Sequence, residues 1–161
     1  MCFKSIALPY ARMGFPVFPL FPREKIPASF MKDWPAAATT DEAQIVAWNA
    51  LDPSFNCGLV AKNDGFVILE FDVRGGMRQA AAEMGEAVPK TRVHISGKQR
   101  GHFIFRNTDR SRALGNCSAR LPEGGEWFSF RQHNMYVVGP GSIHPNGKEY
   151  KVAVDGDLAG C

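Results

Sequence analysis

Three groups of residues have types and spacings that could do chemistry. The first closes the run Val67-Ile68-Leu69-Glu70-Phe71-Asp72-Val73. Side chains alternate along a strand, so Glu70 and Asp72 share one face and Phe71 packs behind. Two carboxylates side by side repel each other and sit badly in an apolar core, but a divalent cation between them makes the pair favourable. A solvent-facing strand end explains the pair equally well, and the motif alone does not choose. The second group is Ser96-Gly97-Lys98-Gln99-Arg100-Gly101-His102, a polar, basic, glycine-bearing loop that runs into the strand His102-Phe103-Ile104-Phe105. Backbone N–H groups together with Lys98 and Arg100 suit phosphate. His102 shares its strand face with Ile104 and Arg106, while Phe103 and Phe105 take the core face. An ordinary hairpin connection has the same composition. The third group is Trp127-Phe128-Ser129-Phe130-Arg131, where Phe128 and Phe130 take one face and Ser129 and Arg131 the other. The segment Tyr136–Pro145 follows it, rich in Gly, Pro, Ser and His. Composition assigns this segment no role, and His144 reads on its own as a turn residue bonded to nearby backbone.

These residues need elements to hold them. Residues 3–13 read as a helix closed by Gly14, and residues 15–39 as a short strand and a long Pro-rich ordered loop. Thr40-Asp41-Glu42 starts a helix whose apolar face is Ala43, Val46, Ala47 and Leu51, ended by Asp52-Pro53. Cys57–Ala61 and Phe66–Val73 read as strands joined into a hairpin by Asn63-Asp64-Gly65. Gly75-Gly76 opens a helix to about Gly85. Arg92–Ile95 with His102–Arg106 form a second hairpin, Trp127–Arg131 with Met135–Gly139 a third strand pair, and Glu149–Val154 a last strand. The class is α+β, antiparallel strands with helices packed on them.

A chain of 161 residues with 45% apolar and 22% charged residues is sized and composed for a single globular domain spanning 1–161. Its apolar runs are no longer than Phe66–Leu69, whereas a membrane span needs about 20 residues, so no membrane partner is expected. The N-terminus lacks a small-residue cleavage site and reads as an amphipathic helix rather than a signal peptide. Cys2, Cys57, Cys117 and Cys161 form no Cys-x-x-Cys pair, which argues against structural zinc and for reduced thiols in a cytoplasm. The net charge of +3 is compatible with nucleic acid without being diagnostic of it.

Taken in order, Lys25-Ile26-Pro27, Asn56-x-Gly58-Leu59, Glu70-x-Asp72, Ser-Gly…Gly-His102, Arg131 and Tyr136-Val-Val-Gly-Pro-Gly-Ser-Ile-His-Pro-Asn-Gly147 resemble the bifunctional DNA primase/polymerase (prim-pol) domain of the archaeo-eukaryotic primase superfamily, from about residue 4 to about residue 152. The resemblance implies a primase-polymerase fold, an RRM-like antiparallel sheet unit with a small N-terminal α/β unit flanking an open cleft. It implies template-directed nucleotidyl transfer from NTP or dNTP substrates on a DNA template or primer, in plasmid, phage or mobile-element replication, in a chain that is a compact variant or a fragment of a longer replication protein with a helicase beside it. Glu70 and Asp72 match the acid pair that holds Mg2+ or Mn2+ in a two-metal site. Two such cations, about 3.5–4 Å apart, would stabilise the attacking 3′-oxygen and the leaving pyrophosphate. His102 matches the histidine that contacts the incoming phosphates. Ser96, Lys98, Arg100 and Arg131 lie where nucleotide contacts would be useful. The Ser142-Ile143-His144 triplet also reads Ser-x-His, but order favours His102.

One departure stands out. The family has a third carboxylate two residues before the arginine matched by Arg131, and that slot holds Ser129, a neutral and weaker metal ligand. Glu126 is the nearest acid, but its odd offset places it on the opposite face unless a bulge intervenes. An inactivating substitution, a domain that binds nucleotide or single-stranded DNA without catalysis, and a register offset of a residue or two all remain open. A separate reading is an RRM-like binder that stacks bases on exposed aromatics such as Trp127; the acid pair opposes it, because carboxylates repel phosphate.

Overall fold

A computed structural model describes residues 1–153. The chain begins with α1 (Phe3–Arg12), which buries Phe3, Ile6, Ala7, Tyr10 and Ala11 along one stripe. It continues into β1 (Val17–Leu20), the one-turn helix α2 (Trp34–Ala37) and α3 (Glu42–Leu51). The Asp41 carboxylate caps α3 by accepting the Ala43 N–H at 2.9 Å. The buried residues of α3 are Ile45 and Trp48, whereas Val46 and Leu51 are exposed. The apolar spacing expected from sequence therefore marks the wrong side of this helix, since Ile45 and Trp48 are the side chains that enter the main core, Trp48 against Phe3 of α1.

Next come β2 (Asn56–Ala61), β3 (Phe66–Phe71), α4 (Gly76–Glu83), β4 (Arg92–Ile95) and β5 (Gly101–Arg106). The remainder is α5 (Asp109–Leu114), β6 (Cys117–Arg120), β7 (Glu126–Arg131), β8 (Met135–Val138) and β9 (Lys151–Val152). Two antiparallel sheets result, a three-stranded β1-β2-β8 and a six-stranded β6-β7-β3-β5-β4-β9. The α+β class holds.

Two expected pairings do not form. Asn63-Asp64-Gly65 does reverse the chain, with the Gly65 N–H on the Lys62 carbonyl at 3.0 Å, but β2 joins the small sheet and β3 the large one. Likewise β7 pairs with β3 and β6, while β8 pairs with β2. Both turns carry the chain from one sheet to the other. The β4–β5 hairpin forms as expected. β6, α2 and α5 lie where loops were expected, and the last strand is shorter than Glu149–Val154, whose Val154 lies outside the described residues, as does Cys161.

The central strands β3, β5 and β4 of the large sheet bury side chains on both faces. Ile68 and Ile104 point into the main core, with Phe3, Phe15, Phe18, Leu59 and Val137. Phe71, Val93, Ile95 and Phe103 point the other way, onto Met77 of α4. The cleft opens on the first of these faces, between the two sheets.

Candidate active-site cleft

Strand register brings the sequence-distant groups into one row. Across β7, β3, β5 and β4, Ser129 stands opposite Glu70, Glu70 opposite His102, and His102 opposite His94. Directly paired residues share a face, so this row faces the cleft side of the sheet. Arg131 lies beside Ile68 and reaches back to Glu70, with Nη2 at 2.7 Å and Nε at 3.2 Å from Oε2. His102 Nε2 is 3.4 Å from Glu70 Oε1. Burial alone would raise the Glu70 pKa. The hydrogen bond and charge of His102 and the charge of Arg131 outweigh it and hold the carboxyl well below the usual carboxylate range.

Asp72 lies just past β3. Its N–H donates to the Trp127 carbonyl at 2.9 Å, and its carboxylate takes Arg100 Nη1 at 2.5 Å. Arg100 comes from the 96–100 connection, a loop that the Ser96 hydroxyl holds closed by accepting the Arg100 N–H at 3.1 Å. The Gln99 N–H is spent on the Ser96 carbonyl at 2.8 Å. Gln99 and Arg100 thus have no spare backbone N–H for an anion. The side chains of Lys98 and Arg100, rather than those amides, present positive charge to the cleft, and Ser96 shapes the loop.

The segment after β8 also has a job. Asn56 of β2 donates to the carbonyls of Ile143 (2.7 Å) and Glu24 (2.9 Å) and accepts the Ile143 N–H at 2.9 Å. Ser142 Oγ accepts the Cys57 N–H at 3.0 Å. The loop is pinned to β2 and carries His144 onto Gly97. A Cβ at Gly97 would meet His144 Cβ at 2.5 Å, so only glycine fits there. His144 Nδ1 accepts the Asn146 N–H at 3.1 Å, which makes it the turn residue expected, although it is also buried.

The cleft has a volume of about 280 Å³. The large sheet and its 96–100 loop give one wall, with Glu70, His102, Arg131, Lys98 and Arg100. The facing wall is apolar: Trp34 of α2 with Met135, Tyr136 and Val137 of β8. Lys25, which no chemical reading of the sequence singled out, completes the lining. Its ammonium is lowered in pKa, chiefly by partial desolvation, with Glu70 opposing and Lys98 and Arg100 reinforcing the shift. Its Lys-x-Pro setting was the sequence signal; Trp34 had none beyond being a tryptophan in a Pro-rich stretch.

Two expected alternatives fall outside the cleft. The β6–β7 ladder slips by one residue, Ala119 pairing with Phe128 and Arg120 with Glu126, so Trp127 is a bulge residue. The bulge that Glu126 required therefore exists, but Glu126 is exposed and does not line the cleft. Trp127 is half-buried against Phe71 and Phe128 on the opposite face, not displayed for base stacking.

Among the described residues, no group of three or more His, Cys, Asp or Glu side chains is placed to hold a metal. Glu70 and Asp72 nevertheless fit a hard cation. They are oxygen donors two residues apart at the end of β3, Glu70 is ionised, and Mg2+ is commonly bound by one or two carboxylates with substrate phosphates completing the shell. The slot beside Glu70 adds only the neutral Ser129 hydroxyl.

A comparison with the curated proteins finds none that matches the chain. The family model of the bifunctional DNA primase/polymerase N-terminal domain (Prim-Pol) matches residues 7–161, and the chain belongs to that family.

Proposed function

We propose that this cleft carries out template-directed nucleotidyl transfer, on a primase-polymerase fold that 1–161 makes up as a single catalytic domain, with NTP or dNTP and a DNA template or primer as substrates. The family's function is of the DNA primase/polymerase type, acting on DNA and nucleotides and generally using divalent metals. One observation supports the finer reading: strand register and one short loop gather Glu70, His102, Lys98, Arg100 and Arg131 around a single cleft, and Arg100 of that lining is ion-paired to Asp72.

Glu70 and Asp72 would hold Mg2+ or Mn2+, which lowers the charge on the reacting phosphate and its leaving pyrophosphate. Lys25, Lys98 and Arg100 neutralise the triphosphate. His102 offers a hydrogen bond to it, and its Nδ1 is buried with no partner among the described residues. Arg131 keeps Glu70 ionised and oriented. A second reading, nucleotide or DNA binding without catalysis, is favoured by Ser129, which leaves the row beside Glu70 one negative charge short.

Calorimetric titration with a non-hydrolysable nucleoside triphosphate, with and without Mg2+ or Mn2+, tests the shared part. Binding is expected to tighten with the cation and to lose that dependence in Asp72→Ala. Cation-dependent binding that survives in Asp72→Ala would overturn the assigned site.

A further inference from the structure

We propose that the small-sheet wall of the cleft is the nucleobase subsite and that the indole of Trp34 is its stacking platform. The inference rests on the nucleotide reading above and extends it to a residue that reading does not use. Trp34 is half-buried and lines the same cleft as Lys98 and Arg100, on its small-sheet side with Tyr136 of β8. A ligand with a triphosphate on Lys98 and Arg100 would extend its uncharged end toward this side, which offers Trp34, Met135 and Tyr136. An aromatic heterocycle is the ligand end that such a wall favours, because stacking on an aromatic side chain accepts any base.

The indole is held in place from several directions. Its ring stacks on Phe18 at a centroid distance of 5.0 Å and 19° between planes, and meets Tyr136 edge-on at 4.8 Å. Phe18 in turn lies against Gly58, its partner in the β1–β2 ladder. A Cβ at Gly58 would come within 2.4 Å of the Phe18 ring, so glycine there is what lets Phe18 take this position. Lys62 Nζ donates to the Pro35 carbonyl at 2.8 Å and ties down the backbone next to Trp34. The Tyr136 hydroxyl donates to the Lys25 carbonyl at 2.7 Å, so one tyrosine braces both the platform and the loop that bears the cleft lysine. A fixed aromatic ring binds a base without first losing rotamer freedom. This also gives Gly58, part of the Asn56-x-Gly58-Leu59 element, a positioning role.

The test compares two probes, a nucleoside triphosphate bridged by an α,β-methylene group and inorganic tripolyphosphate, each with Mg2+, on the wild type, Trp34→Phe and Trp34→Ala. The nucleotide is expected to quench tryptophan fluorescence in the wild type and not in Trp34→Phe, whose remaining indoles are Trp48 in the core and Trp127 on the far face. Trp34→Ala is expected to weaken nucleotide binding by about tenfold and to leave tripolyphosphate binding unchanged. Equal nucleotide affinity in the wild type and Trp34→Ala would overturn the subsite. Loss of tripolyphosphate binding in Trp34→Ala would reduce Trp34 to a structural role and overturn it too. If the wild type binds tripolyphosphate but gains nothing from the base, the subsite falls while the phosphate site stands; if it binds neither probe, the nucleotide reading falls with it.

Discussion

Ser129 faces Glu70 directly across the β7–β3 ladder, with Arg131, two residues along the same strand, bonded to that glutamate at 2.7 Å. An aspartate at 129 would place a second carboxylate beside Glu70. Like charges directly opposite in a sheet destabilise by up to about 1 kcal/mol. Ser129→Asp is therefore expected to lower the melting temperature by a few degrees without divalent cation and to recover it when Mg2+ or Mn2+ is added. Thermal unfolding with and without the cation checks this. A melting temperature indifferent to the cation in Ser129→Asp would contradict the placement of the metal.

His102→Ala removes a hydrogen-bonding group whose Nδ1 is buried without a partner among the described residues. Triphosphate binding is expected to weaken by about 1–3 kcal/mol, the scale of a hydrogen bond to a charged group. Calorimetry on nucleotide and on a DNA oligonucleotide separates the roles. An effect confined to DNA would refute the phosphate contact.

His94, at the far end of the row, makes acid stability a readout of the same face. Its Nε2 accepts from Arg92 Nε at 3.2 Å and sits 3.1 Å from the Tyr10 hydroxyl, so a proton there would face a guanidinium donor. Burial, with His102 and Arg92 adding to it, lowers its pKa from 6.5 to about 3. A folded-state pKa below the unfolded one means that the unfolded chain takes up the proton first. Stability is then full above pH 6.5 and is lost as pH falls from there to about 3. Urea unfolding across that window is expected to show a shallower pH slope for His94→Gln than for the wild type. Identical slopes would rule out a buried neutral His94.

Much of this was legible in the sequence. The alternation in Glu70-Phe71 and in Phe128-Ser129-Phe130-Arg131 matches the observed faces, because face depends only on a strand's own period, whereas Asp72 lies past the end of β3, where that period no longer applies. Pairing was not legible to the same degree. Asn63-Asp64-Gly65 signals a chain reversal, but nothing local says whether the next strand pairs with the last or leaves for another sheet. The face of α3 was misread for a similar reason: Val46 and Leu51 fit a helical spacing, yet Ile45 and Trp48 are the residues that find a neighbour. Trp34 escaped notice because its significance comes from Phe18 and Tyr136, which are remote from it in sequence or in strand order.

The most direct measurement is template-dependent incorporation of labelled nucleotides with Mg2+ or Mn2+, by this protein and by Ser129→Asp in parallel. The expected result is cation-dependent incorporation that is faster in Ser129→Asp by about a hundredfold, the scale of one group that stabilises the transition state. No incorporation by either protein, when both bind nucleotide with the cation, would contradict nucleotidyl transfer and leave a binding domain in its place.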